Sequence, residues 1–261
     1  MSLEFKEKCR TEALNHGFEF FGVVDAAELA KVPFPPHRSL DIPYSYLPEA
    51  KSVIVLGMHV WDPLLNASVT SVLPDGAIPL DDIPHIHYYT LYWEITETRA
   101  HRFAHAIRAA GYKTIVGHLV HSKAAAALAG LGWIGKQTLC ITPQLGPRVR
   151  WCTVITDAIL PYDEPFQEDL CGDCDLCVKA CPTNAIIPGP SQGVEPGKKV
   201  DFWKCIISQN QLAEPNEDWQ KYAKKYTKRG FMECLICHDA CPIGKEEHQR
   251  RVQKYSTKPM S

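Results

Sequence analysis

Apolar positions recur along the first 160 residues with two periods. Residues 5–16 place Phe5, Cys9 and Ala13 on one helical face, and Gly17 reads as the stop. Residues 92–110 put Ile95, Ala100, Phe103, Ala104 and Ile107 on a second helical stripe that ends at Gly111. FEFFGVVDA (18–26) and KSVIVLGMHV (51–60) read as strands, the second so continuously apolar that both its faces are expected to be buried. Residues 62–87 read as a long loop, YKTIVGHLV (112–120) as a strand and HSKAAAALA (121–129) as a helix. After the glycine turn GLGWIGK, the runs TLCIT and VRWCTVITD (149–157) read as strands. The pattern predicts an α/β or α+β sheet domain over residues 1–160.

PYDEPFQED (161–169), with two prolines and four acids, reads as a linker, and the texture changes beyond it. Few long apolar runs remain, and Cys-rich segments alternate with short helical pieces. A second domain over 161–261, organised by metal, is the economical expectation. Composition adds exclusions. With 45% hydrophobic and 22% charged residues the chain is not disordered. Lys plus Arg number 28 against 30 acids, so the basic excess of a nucleic-acid gripper is missing. No run is apolar enough for a membrane span, and the first residues have neither a secretory nor a twin-Arg pattern, so a cytoplasmic location is expected.

Eleven cysteines are present, and eight of them fall between 171 and 241. In a reducing compartment that clustering points to metal. CGDCDLCVKACP (171–182) is C-x2-C-x2-C-x3-C-P, the iron–sulfur run of bacterial ferredoxins, in which the fourth cysteine serves the other cluster. CLICHDACP (234–242) repeats its end with three cysteines, and Cys205 in WKCIIS supplies the eighth. The crossed assignment puts Cys171, Cys174, Cys177 and Cys241 on one [4Fe–4S] cluster and Cys181, Cys205, Cys234 and Cys237 on the other. Zinc is the alternative for C-x2-C pairs, but it calls neither for the triplet nor for a Cys-Pro closing both segments. Cys9, Cys140 and Cys152 read as buried core residues.

The G-x-G-x-x-G of AGLGWIGK (129–136) follows a helix and precedes a strand, the reverse of a dinucleotide fingerprint. Its glycines still imply close backbone approach to a ligand or a packed element. Together, ALAGLGWIGKQTLCITP, CGDCDLCVKACPTNAI, WKCIIS and CLICHDACP resemble epoxyqueuosine reductases. LAGLGWIGK and LCITPQLGPRVRWCTVITD also resemble reductive dehalogenases. The resemblance implies an α+β, nitroreductase-like domain holding cobalamin against a ferredoxin-like domain with two [4Fe–4S] clusters, in a short form without the C-terminal helical-repeat domain. It implies corrinoid-lining roles for Gly130, Gly132, Trp133, Lys136, Thr138, Leu139, Gly146 and Arg148. For Arg148 a surface salt bridge is the alternative, and for Trp133 a place in the core.

Where epoxyqueuosine reductases carry a proton-donating Asp, this chain has KTIVGHLVHSK, with no acid. His118 and His121 are the replacement candidates, because histidine titrates near neutrality; Tyr88 and Tyr89 resemble the tyrosine acid of dehalogenases. The expected function is a cobalamin-dependent iron–sulfur reductase fed by reduced ferredoxin or flavodoxin, acting on a small molecule or a corrinoid protein, with nucleic acid an unlikely partner. Two alternatives stand: an electron-transfer protein without its own corrinoid, and an epoxyqueuosine reductase acting on tRNA. The basic run 221–229 suits an acidic donor protein, or is simply a solvated face.

Overall fold

A computed structural model of the chain describes residues 3–33, 40–59, 86–191, 196–206, 230–231 and 234–256. The elements run α1 (Leu3–Asn15), β1 (Phe20–Asp25), α2 (Ala26–Ala30), α3 (Pro43–Tyr46), β2 (Ser52–His59), β3 (Ile86–His87), α4 (Tyr88–Ala109), β4 (Thr114–Gly117) and α5 (Ser122–Leu128). They continue with β5 (Trp133–Ile134), β6 (Cys140–Ile141), β7 (Val149–Thr156), α6 (Leu176–Ala180), α7 (Pro196–Lys199), β8 (Gly230–Phe231), α8 (Ile236–Ala240) and α9 (Lys245–Ser256).

Four strands form an antiparallel sheet in the order β1-β2-β7-β4. Its period-2 alternation sends side chains to two cores. Val53, Val55, Trp151 and Ile155 face α5, with its alanines Ala124, Ala125 and Ala126. Ile54, Leu56, Met58, Cys152 and Val154 face α1 and α4, where Cys9, Ala13, Phe103 and Ile107 pack. The central strand β2 is buried at all eight positions, as its continuous apolar run predicts. Antiparallel pairing makes the domain α+β.

Two expectations change. Residues 62–85 lie outside the described residues, and 86–87 pair in parallel with 230–231 instead of belonging to a loop. Residues 161–169 carry no regular secondary structure, yet they are strapped to the sheet domain. Asp163 ion-pairs with the buried Lys6 at 2.6 Å and accepts from the Val23 N–H at 2.8 Å, while the Phe166 N–H donates to Ala127. A buried ammonium and an otherwise unpaired strand donor explain why an acid is needed there.

Candidate metal centre and adjoining cleft

The two Cys-Pro sequences build the same local structure twice. A residue before proline is pushed out of the helical region. Cys181 (ψ 114) and Cys241 (ψ 121) are therefore extended C-caps that end α6 and α8 after five residues each. Each cap N–H returns to the helix, to Val178 and His238 respectively, and the cysteine side chain leaves its own turn. The two short helices pack against each other. Cys205 arrives by a different route: residues 185–187 and 199–201 pair antiparallel, and a turn at Asp201 then places Cys205 beside them. Ala185, Ile186 and Val200 form a small core that Cys177, Cys181, Cys205 and Cys237 join.

The thiols act on one another electrostatically. Burial, then the charges of Cys171, Cys241 and Cys174, pushes the Cys177 thiol up to about 11. Burial raises Cys234 as well, with contributions from Cys205 and Cys181. Cys237, half-buried, is raised well above the usual thiol value by burial and then by Cys234, Cys205, Cys177 and Cys181. Cys181 differs: burial raises it, but hydrogen bonds from Thr183 and from the Ala185 N–H (3.3 Å) bring it below the usual thiol value. Most of these couplings follow the grouping expected from the spacing, a first set of Cys171, Cys174, Cys177 and Cys241 and a second set of Cys181, Cys205, Cys234 and Cys237, with Cys177 acting on both. Gathering thiolates that repel one another is unfavourable unless a cationic centre binds them and releases their protons. All four residues of the second set border a cavity that encloses about 720 Å3, its mouth included. Cys9 and Cys152 are pushed up by burial to about 11 and 12, and Cys140 higher still; they are inert core thiols, as expected.

Beside the second set opens a larger cleft that encloses about 1180 Å3, its mouth included. Tyr92, Trp93, His118, His121, Arg150 and Trp151 line it on the sheet-domain side. Lys123, Thr138, Leu139, Phe202 and His238 border both cavities. Among the described residues the lining contains two cations, Lys123 and Arg150, and no carboxylate. Thr138 adopts a positive φ of 61°, a strained conformation for a β-branched residue, at the tip of the β5–β6 hairpin.

The structure divides the residues expected around a corrinoid. Thr138 and Leu139 line the cleft, and Lys136 is buried nearby in sequence but is not among the lining residues. The other five face elsewhere. Gly130, at φ +70, leaves room for the Glu164 carbonyl of the strap, and Gly132 for the Ile141 carbonyl. A Cβ on Gly146 would lie 2.1 Å from the Ile243 carbonyl, so only glycine permits that approach. Trp133 is buried, and its indole N–H donates to the Cys171 sulfur at 3.4 Å. Arg148 is 2% exposed and donates to the carbonyls of His238 (2.7 Å), Cys241 (2.8 Å) and Ile243 (2.9 Å). It is a clamp on the second Cys-Pro segment, neither a surface ion pair nor a cleft residue.

His118 and His121 do line the cleft, but packing changes their chemistry. His118 stacks on Trp93 (centroids 4.8 Å apart), and its Nε2 lies 3.0 Å from Thr96 Oγ1. The Thr96 hydroxyl already has the Tyr92 and Trp93 carbonyls as acceptors, so its oxygen is left to receive from Nε2–H. Burial, and then the Arg150 charge, lowers His118 to about 4, so it is a neutral side chain at neutral pH and not a ready acid. His121 caps α5 by accepting the Ala124 N–H at Nδ1 (3.2 Å), which leaves its ring hydrogen on Nε2. Tyr88 and Tyr89 lie in the first turn of α4, and their side chains fall outside what the structure describes. Residues 221–229 also lie outside the described residues. Sequence reasoning missed Tyr92, Lys123, Arg150, Phe202 and His238, because no local motif marks residues that converge from separate elements.

Comparison with known proteins agrees with this arrangement. Residues 170–244 match the family of 4Fe-4S double cluster binding domains. That double-cluster region contains all eight gathered cysteines. Over 123 residues, 47% of this chain, the sequence is 40% identical to an epoxyqueuosine reductase of Cellulophaga algicola (strain DSM 14237 / IC166 / ACAM 630). The alignment spans 37% of that relative, so the chain matches only part of it. A crystal structure of epoxyqueuosine reductase with an epoxyqueuosine-modified tRNA stem loop superposes with a TM-score of 0.65 at 20% identity, covering 93% of this chain and 66% of that one. A reductive dehalogenase, whose structure was read as suggesting a mechanism for B12-dependent dehalogenation, superposes with a TM-score of 0.63 at 20% identity, covering 97% and 34%. The sheet domain and the double-cluster region therefore share their fold with both. No helix among the described residues is long and apolar enough to cross a membrane.

Proposed function

We propose that this chain is an iron–sulfur reductase. Cys171, Cys174, Cys177 and Cys241 hold one [4Fe–4S] cluster, and Cys181, Cys205, Cys234 and Cys237 hold the second. The observation that carries the reading is that all eight cysteines fall within the stretch matching a double-cluster domain, four of them walling a cavity that shares five residues with the cleft. Clusters so held supply one-electron transfer. Cys174 is exposed, which suits entry from a reduced ferredoxin or flavodoxin at the first set.

The cleft suits cobalamin by its mixed aromatic and cationic lining. Thr138, Leu139, Tyr92, Trp93 and Phe202 would hold it, with Lys123 and Arg150 toward its anionic groups. When bound, it would supply a strongly reducing metal centre beside the substrate. This chain's own side chains contribute the rest. His118 is a neutral hydrogen-bonding wall, and His121, held by the Ala124 N–H at Nδ1, offers a hydrogen-bond donor at Nε2.

Epoxyqueuosine in tRNA is the substrate reading that the named relatives support, and the bound stem loop in one solved neighbour removes the force of the argument from net charge. A small molecule or a corrinoid protein is the second reading, favoured by the acid-free KTIVGHLVHSK segment. The test is anaerobic reconstitution of the full chain, followed by iron, sulfide and cobalt analysis and assay on an epoxyqueuosine-modified stem loop. Eight irons, retained base-off cobalamin and turnover are expected. Zinc, or clearly fewer than eight irons, overturns the reductase. Eight irons with no retained corrinoid leaves an electron-transfer protein.

A further inference from the structure

The AGLGWIGK and GPRVR segments are tied to the first cysteine set more than to the cleft. Trp133 carries a single N–H, and a buried indole needs a partner for it. The partner is the Cys171 sulfur, 3.4 Å away. The ring is not free to turn: it packs on Phe166 of the strap at 5.4 Å, and its backbone pairs with Ile141 in the β5–β6 hairpin. Lys199 Nζ, from the double-cluster region, donates to the carbonyl of the next residue, Ile134, at 3.2 Å. Arg148 closes the other end on the Cys241 carbonyl. Residues 130–148 thus touch both Cys171 and Cys241, the first and last members of that set. The second set draws its sulfur hydrogen bonds from a different source, Thr183 and the Ala185 N–H on Cys181.

We propose that residues 130–148 form a socket for the first cluster, in which Trp133 is a positioning residue whose N–H raises that cluster's reduction potential. The proposal rests on the reading that the cysteine sets hold [4Fe–4S] clusters. Reduction adds one electron, and part of that charge falls on the ligand sulfurs. A fixed donor on a ligand sulfur stabilises the reduced form more than the oxidised form, with no proton transferred and no bond broken. The sheet domain therefore sets the potential of a cluster whose ligands all lie outside it.

The experiment uses the full, anaerobically reconstituted chain. Trp133→Phe keeps a ring against Phe166 and removes the N–H. Iron is counted, and both clusters are titrated by electron paramagnetic resonance; the first cluster is the one whose signal Cys174→Ser alters. The expected result is eight irons, with the oxidised-to-reduced ratio of the first cluster at a fixed potential raised roughly two- to tenfold, the scale of one ordinary hydrogen bond's net contribution. The second cluster is expected not to move. Eight irons with no shift, or an equal shift of both clusters, overturns this inference and leaves the reductase reading intact. A wild-type chain without iron overturns both. Should Trp133→Phe hold only four irons, substitution at 133 by benzothienylalanine decides, since it keeps the fused rings and removes only the donor; an unshifted potential there overturns the role of the N–H.

Discussion

His118 stacks on Trp93 and faces Thr96, and both contacts hold it out of water. Its folded value near 4 lies below the ordinary 6.5. Between those values the unfolded chain binds more protons than the folded one, so stability rises with pH across the window and is lost on acidification through it. At pH 5 the wild type is expected to have lost about 2 kcal/mol relative to pH 7 from this group alone. Urea unfolding of wild type and His118→Gln at both pH values checks this; equal losses in the two would refute it. The positions of His118 and His121 beside the glycine turn were legible in the chain. Their chemistry was not, because α4 and Arg150 reach them from elsewhere in the sequence. Trp133 likewise carried signal as an unusual aromatic among glycines, but nothing local says whether its N–H meets a cofactor or a cysteine.

Elements explain why the cysteine spacing was so readable. In each half the Cys-Pro step ends a five-residue helix and turns the last thiol from its neighbours, a consequence of proline sterics that needs no distant contact. The crossing follows from pairing α6 with α8. Its consequence can be tested by substitution. Cys181→Ser and Cys234→Ser, in different motifs, are expected to perturb one and the same cluster signal, and Cys171→Ser and Cys241→Ser the other. If Cys181→Ser instead perturbs the signal that Cys171→Ser does, the crossing is wrong. Cys205 could be reached from sequence only by counting to eight, since its approach depends on the pairing of 185–187 with 199–201. The strapping of the linker and the pairing of 86–87 could not be read for a related reason: polar and proline-rich composition does not say whether a segment finds partners such as Lys6 and Val23.

At the scale of the molecule, Arg148 joins the sheet domain to the second Cys-Pro segment. Its removal would strand the carbonyls of Cys241 and Ile243 in a buried interface and leave that of His238 with only the Cys241 N–H. Arg148→Ala is expected to cost about 2–4 kcal/mol in denaturant unfolding, the range for leaving buried acceptors unmade, with easier loss of iron from the first cluster. Arg148→Lys, with fewer donors and no fork, is expected to fall between. A variant as stable as wild type would show that water replaces the clamp. The sequence by itself determined what is written in short-range pattern: a doubly covered β2, the helical stripes, eight thiols in crossed spacing, and three core cysteines set apart from them. Only the tertiary structure decided which side chains face the cleft, which charge His118 carries, and that the glycine-rich signature meets the Cys171 sulfur. Those properties depend on burial and on contacts between residues such as Arg148 and Cys241, nearly a hundred positions apart, and no local period encodes them.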